Sequence, residues 1–176
     1  MITWALIIIL GGMISSERKS GTAILVLTKP LSRTAFVLAK FVSQVTLLVV
    51  ATVLGAVGTW AVTLAIFGEA PAGMLAKITG VWLVFAIFII GVMTLASALV
   101  DSQMGSVFLG FGVLVFLSLA SLWGPALEYT PAGLMGAPNS LLIGQEIATL
   151  WPLVSAAIIT LLCVAAAVGA FGRKEL

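Results

Sequence analysis

Four stretches, residues 36–67, 78–100, 104–123 and 150–171, are continuous runs of apolar and small side chains in which Lys40, near the start of the first, is the only charge. A helix needs about twenty such residues to cross the hydrocarbon core of a bilayer. Inside that core every backbone N–H and C=O must be satisfied internally, which leaves helices or closed barrels, and runs of this length read as helices. The chain is 62% hydrophobic and 8% charged, against about 25% charged in a typical soluble domain. It could not present enough polar surface to stay dissolved. The expected fold class is an all-α polytopic membrane protein, with residues 1–176 forming one transmembrane domain.

The cations are concentrated. Arg18, Lys19, Lys29, Arg33 and Lys40 make five of the eight Lys and Arg residues. Cations in short loops near span ends resist translocation, so residues 15–40 read as the cytoplasmic face. Within this segment Ser15 and Ser16 offer capping hydroxyls, Glu17-Arg18-Lys19 forms a charged turn, and Gly21-Thr22 permits a sharp change of direction. Residues 23–28 are a short apolar run, ended by Lys29-Pro30. Pro30 has no N–H and disfavours the α conformation in the residue before it. Residues 22–28 therefore read as about two turns of helix lying on the membrane surface, apolar in the body and cationic at the ends. Ser32 then supplies an N-cap oxygen to a helix starting near Arg33.

These residues, Glu17-Arg18, Gly21-Thr22, Pro30, Ser32-Arg33 and Lys40 in this order, resemble the cytoplasmic loop of ABC type 2 transporter permeases, the membrane subunits of ATP-driven exporters. In that family the loop runs as an acidic-basic pair, a Gly-Thr, a short helix, a Pro-x-Ser-Arg and a Lys opening the next span. The resemblance implies a permease that pairs with a second permease copy and with separate ATP-binding-cassette ATPase subunits. It also implies a coupling helix over residues 22–28, which carries Ile24 and Leu25. Glu17, Arg18 and Arg33 would act as polar contacts to the ATPase or as lipid-headgroup anchors, and Gly21 and Pro30 as the bends of the loop. Thr22, Ser32 and Lys40 complete the set of expected partner-binding residues.

The remaining organisation follows from length and turn chemistry. Residues 1–14 are apolar but too short to cross a bilayer, and they lack the basic start and small-residue cleavage site of a signal peptide. They read as the second half of a span that begins upstream. The coupling loop occupies 15–35, and the span over 36–67 carries Gly55, Gly58, Ala51 and Ala56, a small-residue surface suited to close helix packing. Residues 68–77 read as a loop and 78–100 as a span, with Trp82 near an interface. A very short turn at Asp101-Ser102-Gln103, capped by Asp101 or Ser102, leads into 104–123. Pro125, Pro131, Pro138 and several glycines divide 124–149 into pieces too short to span, and the resemblance implies short external helices there. The last span is 150–171 and the basic tail 172–176 is cytoplasmic. Alternation puts seven cations inside, the five above with Arg173 and Lys174, and Lys77 alone outside. That split supports about five transmembrane helices, the first one partial, and the expected location is a bacterial or archaeal plasma membrane.

No catalytic constellation is present. The chain has no His, one Cys (Cys163, within an apolar run) and six carboxylates spread over both faces, which leaves no acid–base pair, metal cluster or activated nucleophile. It has no G-x-x-x-x-G-K-[ST] phosphate loop, so energy has to come from a partner or a gradient. No ionisable residue lies deep in the apolar runs, which weighs against an ion-coupled carrier. No basic, aromatic-interleaved patch suits nucleic acid. The expected role is a non-enzymatic permease subunit, without cofactors, in contact with membrane lipids. The competing reading is an integral membrane scaffold that anchors another complex without transporting.

Overall fold

The computed structural model describes residues 2–11, 32–143 and 150–173. Among these the chain forms seven helices and no strand: α1 (Ile2–Leu10), α2 (Arg33–Phe67), α3 (Ala72–Leu99), α4 (Gln103–Ala120), α5 (Gly124–Tyr129), α6 (Gly133–Leu142) and α7 (Leu150–Arg173). α2, α3, α4 and α7 are each long and apolar enough to cross a membrane. The all-α polytopic class expected from the apolar runs is the class observed. The surface helix expected over residues 22–28 lies outside the described residues.

α3 is the centre of the bundle. Phe85, Ala86, Phe88, Ile89, Ile90, Met93, Ala96 and Ala98 are all buried, a set that covers every face of the helix rather than one stripe, as for a helix surrounded by others. α1, α2, α4, α6 and α7 all pack on it. α7 lays Ala156, Thr160, Val164, Ala167 and Phe171 inward at helical spacing and turns Val154, Ile158, Leu161 and Leu162 outward. In lipid there is no hydrophobic gain from bringing two apolar helices together, so packing has to come from close approach of small residues. Gly91 provides it: a Cβ added there would stand 2.9 Å from Thr160 Cγ2 and 3.3 Å from Thr160 Cα. Gly110 of α4 is equally confined, by Met93 of α3 and Ile7 of α1.

Buried polar side chains satisfy themselves on the helix backbone. Thr94 donates to Ile90 O at 2.7 Å and Thr160 to Ala156 O at 2.7 Å. The buried Ser106 hydroxyl lies 3.2 Å from Ser102 O, one turn back, and 3.4 Å from Ala96 O on α3. Of the charged residues whose side chains are described, Glu69, Lys77, Asp101 and Glu128 are exposed and Lys40 is half-buried.

The expected caps form. Ser32 is extended (φ −69°, ψ 148°) and its hydroxyl accepts from Ala35 N at 3.1 Å. Ser102, not Asp101, caps α4, accepting from Gly105 N at 3.0 Å. Two expectations fail, and a third finds no partner within this chain. α3 begins at Ala72, so residues 72–77, read as loop from their Gly and Lys, are helical, and the reversal from α2 is confined to Gly68–Pro71. Gly68 makes that reversal possible by adopting φ 72° at the α2 C-cap, a left-handed conformation open to glycine. Pro138 does not break its segment but lies inside α6. The bond it cannot donate is one among a short helix held on α3 by the buried Leu134 and Ala137. Gly55 and Gly58, read as a close-packing surface, have no atom of the described chain within 4 Å of an added Cβ.

The helix ends sort into two groups. Phe36 stacks on Phe171 with ring centroids 5.5 Å apart, joining the start of α2 to the end of α7. Gly11 lies against Val107 and Gln103, joining the end of α1 to the start of α4. At the opposite end, α5 and α6 cover the bundle, with Gly133 against the Leu127 carbonyl and Pro152, and Tyr129 beside Trp151 at 6.4 Å.

Two substitutions test these contacts. Gly91→Leu should lower the thermal unfolding midpoint in detergent, at a cost of about 1–3 kcal/mol typical of overpacking, whereas Gly80→Ala, with open space around it, should not. Ser32→Ala should cost about 1 kcal/mol of cap energy and show as roughly fivefold faster amide exchange at Ala35. Unchanged exchange would mean that the hydroxyl does not hold the start of α2.

Candidate functional site

The residues expected to contact a partner divide at the boundary of the described chain. Glu17, Arg18, Gly21, Thr22, Ile24, Leu25 and Pro30 lie outside the described residues. Ser32, Arg33 and Lys40 fall at the start of α2, where Ser32 is the cap and Arg33 the first helical residue. Lys40 sits two turns further on, half-buried, with its ammonium 6.0 Å from the centroid of the Phe36 ring. That places the cation at the outer limit of attraction to an aromatic face, and the same ring stacks on Phe171. Residues 12–31 are thus flanked by Gly11, packed on α4, and by Ser32, at the foot of α2 beside α7. Both flanks belong to the same end of the bundle.

A second feature escaped the sequence. α1, α2 and α3 enclose a groove of about 590 Å³, within the range of small-molecule sites. Its walls are mainly aliphatic, from Leu6, Leu10, Leu47, Leu48, Ala51 and Ile78, with Gln44, Thr52, Thr59, Thr79 and Trp82 as polar members. A further cavity of about 400 Å³ lies between α1, α3, α4 and α6, and its lining includes Thr3, Ser118 and Asn139. Trp82 and Pro138 border both. A span beginning at residue 78 would put Trp82 near the interface. With α3 starting at Ala72 it lies about 15 Å along the helix at 1.5 Å per residue. No sequence signal links Trp82 to Pro138; the link depends on α6 folding back onto α3.

Among the described residues no three His, Cys, Asp or Glu side chains come close enough to hold a metal ion, and the polar groups of the two cavities are neutral amides, hydroxyls and the indoles of Trp4 and Trp82.

No curated protein and no solved structure matches the chain. The model of the family described as "ABC-2 family transporter protein" matches residues 2–139, from α1 through the loop and central helices into α6. Taken with the apolar helices long enough to cross a membrane, this match establishes that the chain belongs to the ABC-2 transporter family and is an integral membrane permease component.

Proposed function

We propose that this chain is the membrane-spanning subunit of an ATP-driven exporter, coupled to a separate ATP-binding-cassette ATPase through residues 15–40, and that it works as a pair of permeases with a pair of ATPases. The observation that supports this reading is that the two flanks of the segment, Gly11 and Ser32, lie at one end of the bundle. The family-like residues Glu17, Arg18, Gly21, Thr22, Pro30, Ser32 and Arg33 lie on or at the edge of the one segment that joins α1 to α2, and those two helices are rooted at the same end of the bundle. Five cations on that segment, with Arg173 and Lys174 at the end of α7, favour that end as the cytoplasmic one.

The mechanism follows from stiffness and packing. An ATPase that closes on ATP pushes residues 22–28, with Ile24 and Leu25 as apolar contacts and Glu17, Arg18 and Arg33 as polar ones. α2 continues the loop as a single helix of 35 residues, about 52 Å at 1.5 Å per residue. Its apolar window is hardly buried, whereas that of α3 is the most buried in the bundle. A push at Arg33 therefore swings α2 against α3, which stays fixed by contacts on all sides, and changes the groove between them. The ATP chemistry belongs to the partner, since this chain has no phosphate loop.

Charge reversal at Arg18 and Arg33 together (R18E, R33E) tests this. Co-expressed with its ATP-binding-cassette ATPase, the double variant should retain at most about a tenth of the co-purified ATPase, the equivalent of about 1.4 kcal/mol, and lose stimulation of ATP hydrolysis. Full retention of both, in a variant that reaches the membrane, would remove the loop from the docking surface.

A further inference from the structure

We infer that α2 carries a built-in joint at Gly55–Thr59, which lets its inner part, from Arg33 to Leu54, change tilt while its outer end stays fixed to α3.

The two ends of α2 are held and its middle is not. Near the start, Phe36, Val37 and Leu48 are buried, and the Phe36 ring stacks on Phe171 of α7. Beyond Leu48 no residue of α2 is buried. The outer end is held by its own turn: Gly68 caps the helix in the left-handed conformation, and the Trp60 indole donates across the turn to Ala70 O at 3.3 Å. Between the two anchors stand Gly55 and Gly58, and no atom of the described chain lies within 4 Å of a Cβ added at either. Glycine holds an interior turn of helix more weakly than any residue but proline, and nothing packed on these two makes up the difference.

A helix inside a bilayer does not bend freely, because a carbonyl that loses its N–H partner has no water to turn to. The Thr59 hydroxyl removes that obstacle. It donates to Gly55 O at 2.9 Å, the same carbonyl that the Thr59 N–H bonds in a regular helix, so Gly55 O keeps a donor when the main-chain bond lengthens. Thr63 does the same for Thr59 O at 2.8 Å. Hydroxyl bonds to the carbonyl one turn back bend helices. Thr94 and Thr160 make the same bond, but both are buried among neighbouring helices, whereas on α2 it coincides with two open glycines. The joint deepens the coupling reading above and rests on it only for the source of the push. Displaced at Arg33, the inner part pivots at Gly55 and carries the groove wall from Gln44 to Thr52 with it, while the turn at Gly68 stays in place.

Spin labels in a Cys163→Ser background report the joint without any ATPase. One pair, V42C with M104C, joins α2 to α4 at the inner end, and the other, I66C with L119C, at the outer end; all four native side chains are exposed. The chain is placed in nanodiscs of short-chain and of long-chain phosphatidylcholine, which impose different tilts on a long helix. Val42 stands about 20 Å from Gly55 at 1.5 Å per residue, so a tilt change of about 6° moves it by about 2 Å. The inner distance should shift by that amount between the two bilayers and the outer distance should not. Gly55→Ala with Gly58→Ala fits the open space, makes the bent form about twentyfold rarer on helix propensity, and should abolish the inner shift. Thr59→Val should do the same by leaving Gly55 O bare. An outer shift matching the inner one, as a rigid α2 gives, no shift of either pair, or an inner shift unaltered by the two alanines would each overturn the proposal. With the ATPase co-expressed, the double alanine variant should keep full co-purification and lose about twentyfold in stimulation of ATP hydrolysis; full stimulation would remove the joint from the coupling. A failure of the original chain to co-purify the ATPase overturns the docking loop, and the nanodisc distances still decide the joint.

Discussion

The approach of α7 to α3 at Gly91 is the contact on which the bundle depends. Lipid tails are as apolar as the side chains they touch, so a membrane helix is held by shape and by close backbone approach rather than by escape from water. Gly91 lets Thr160 settle against the α3 backbone, and Thr160 can do so because its hydroxyl is already bonded to Ala156 O within its own helix. The same solution recurs at Ser106 and Thr94. Interior polarity is thereby neutralised locally, and the long helices meet through small residues and aliphatic side chains. α3 becomes the fixed post around which the other helices are arranged.

What sequence reasoning could reach was what local chemistry decides. Uncharged runs of sufficient length identified the long helices, and the Ser32 and Ser102 hydroxyls marked where two of them start. The tight α3–α4 hairpin was legible because three polar residues separate two apolar runs. The failures came where single turn-forming residues were weighed above their surroundings. Pro71, Gly73 and Lys77 look like loop residues, yet α3 starts directly after Pro71 and runs through the last two, although Gly73 has open space around it. Pro138 looks like a terminator, yet Leu134 and Ala137 hold its helix against α3. Gly55 and Gly58 fit a packing stripe, but a stripe does not state whether a neighbour in the same chain covers it.

The candidate site divides along the same line. The loop residues were recognisable as a linear series, since the order of Glu17-Arg18, Gly21-Thr22, Pro30 and Ser32-Arg33 is itself the signal. The groove was not recognisable, because Gln44, Thr52, Thr79, Trp82 and Asn139 are spread over α2, α3 and α6 and resemble isolated polar residues in apolar runs. Only the return of α6 onto α3 brings Pro138 and Asn139 to Trp82. A linear docking motif and a three-dimensional cavity thus leave different traces in one chain.

The length of α2 has a consequence for the membrane around it. After Lys40 the helix continues without a charge to Phe67, about 40 Å at 1.5 Å per residue, while a hydrocarbon core is about 30 Å thick. The excess is absorbed by leaning about 40° from the membrane normal or by stretching the surrounding lipid. Bilayer thickness is then a mechanical input to this permease: thinner membranes lay α2 flatter, and sterol- or long-chain-rich membranes bring it more upright.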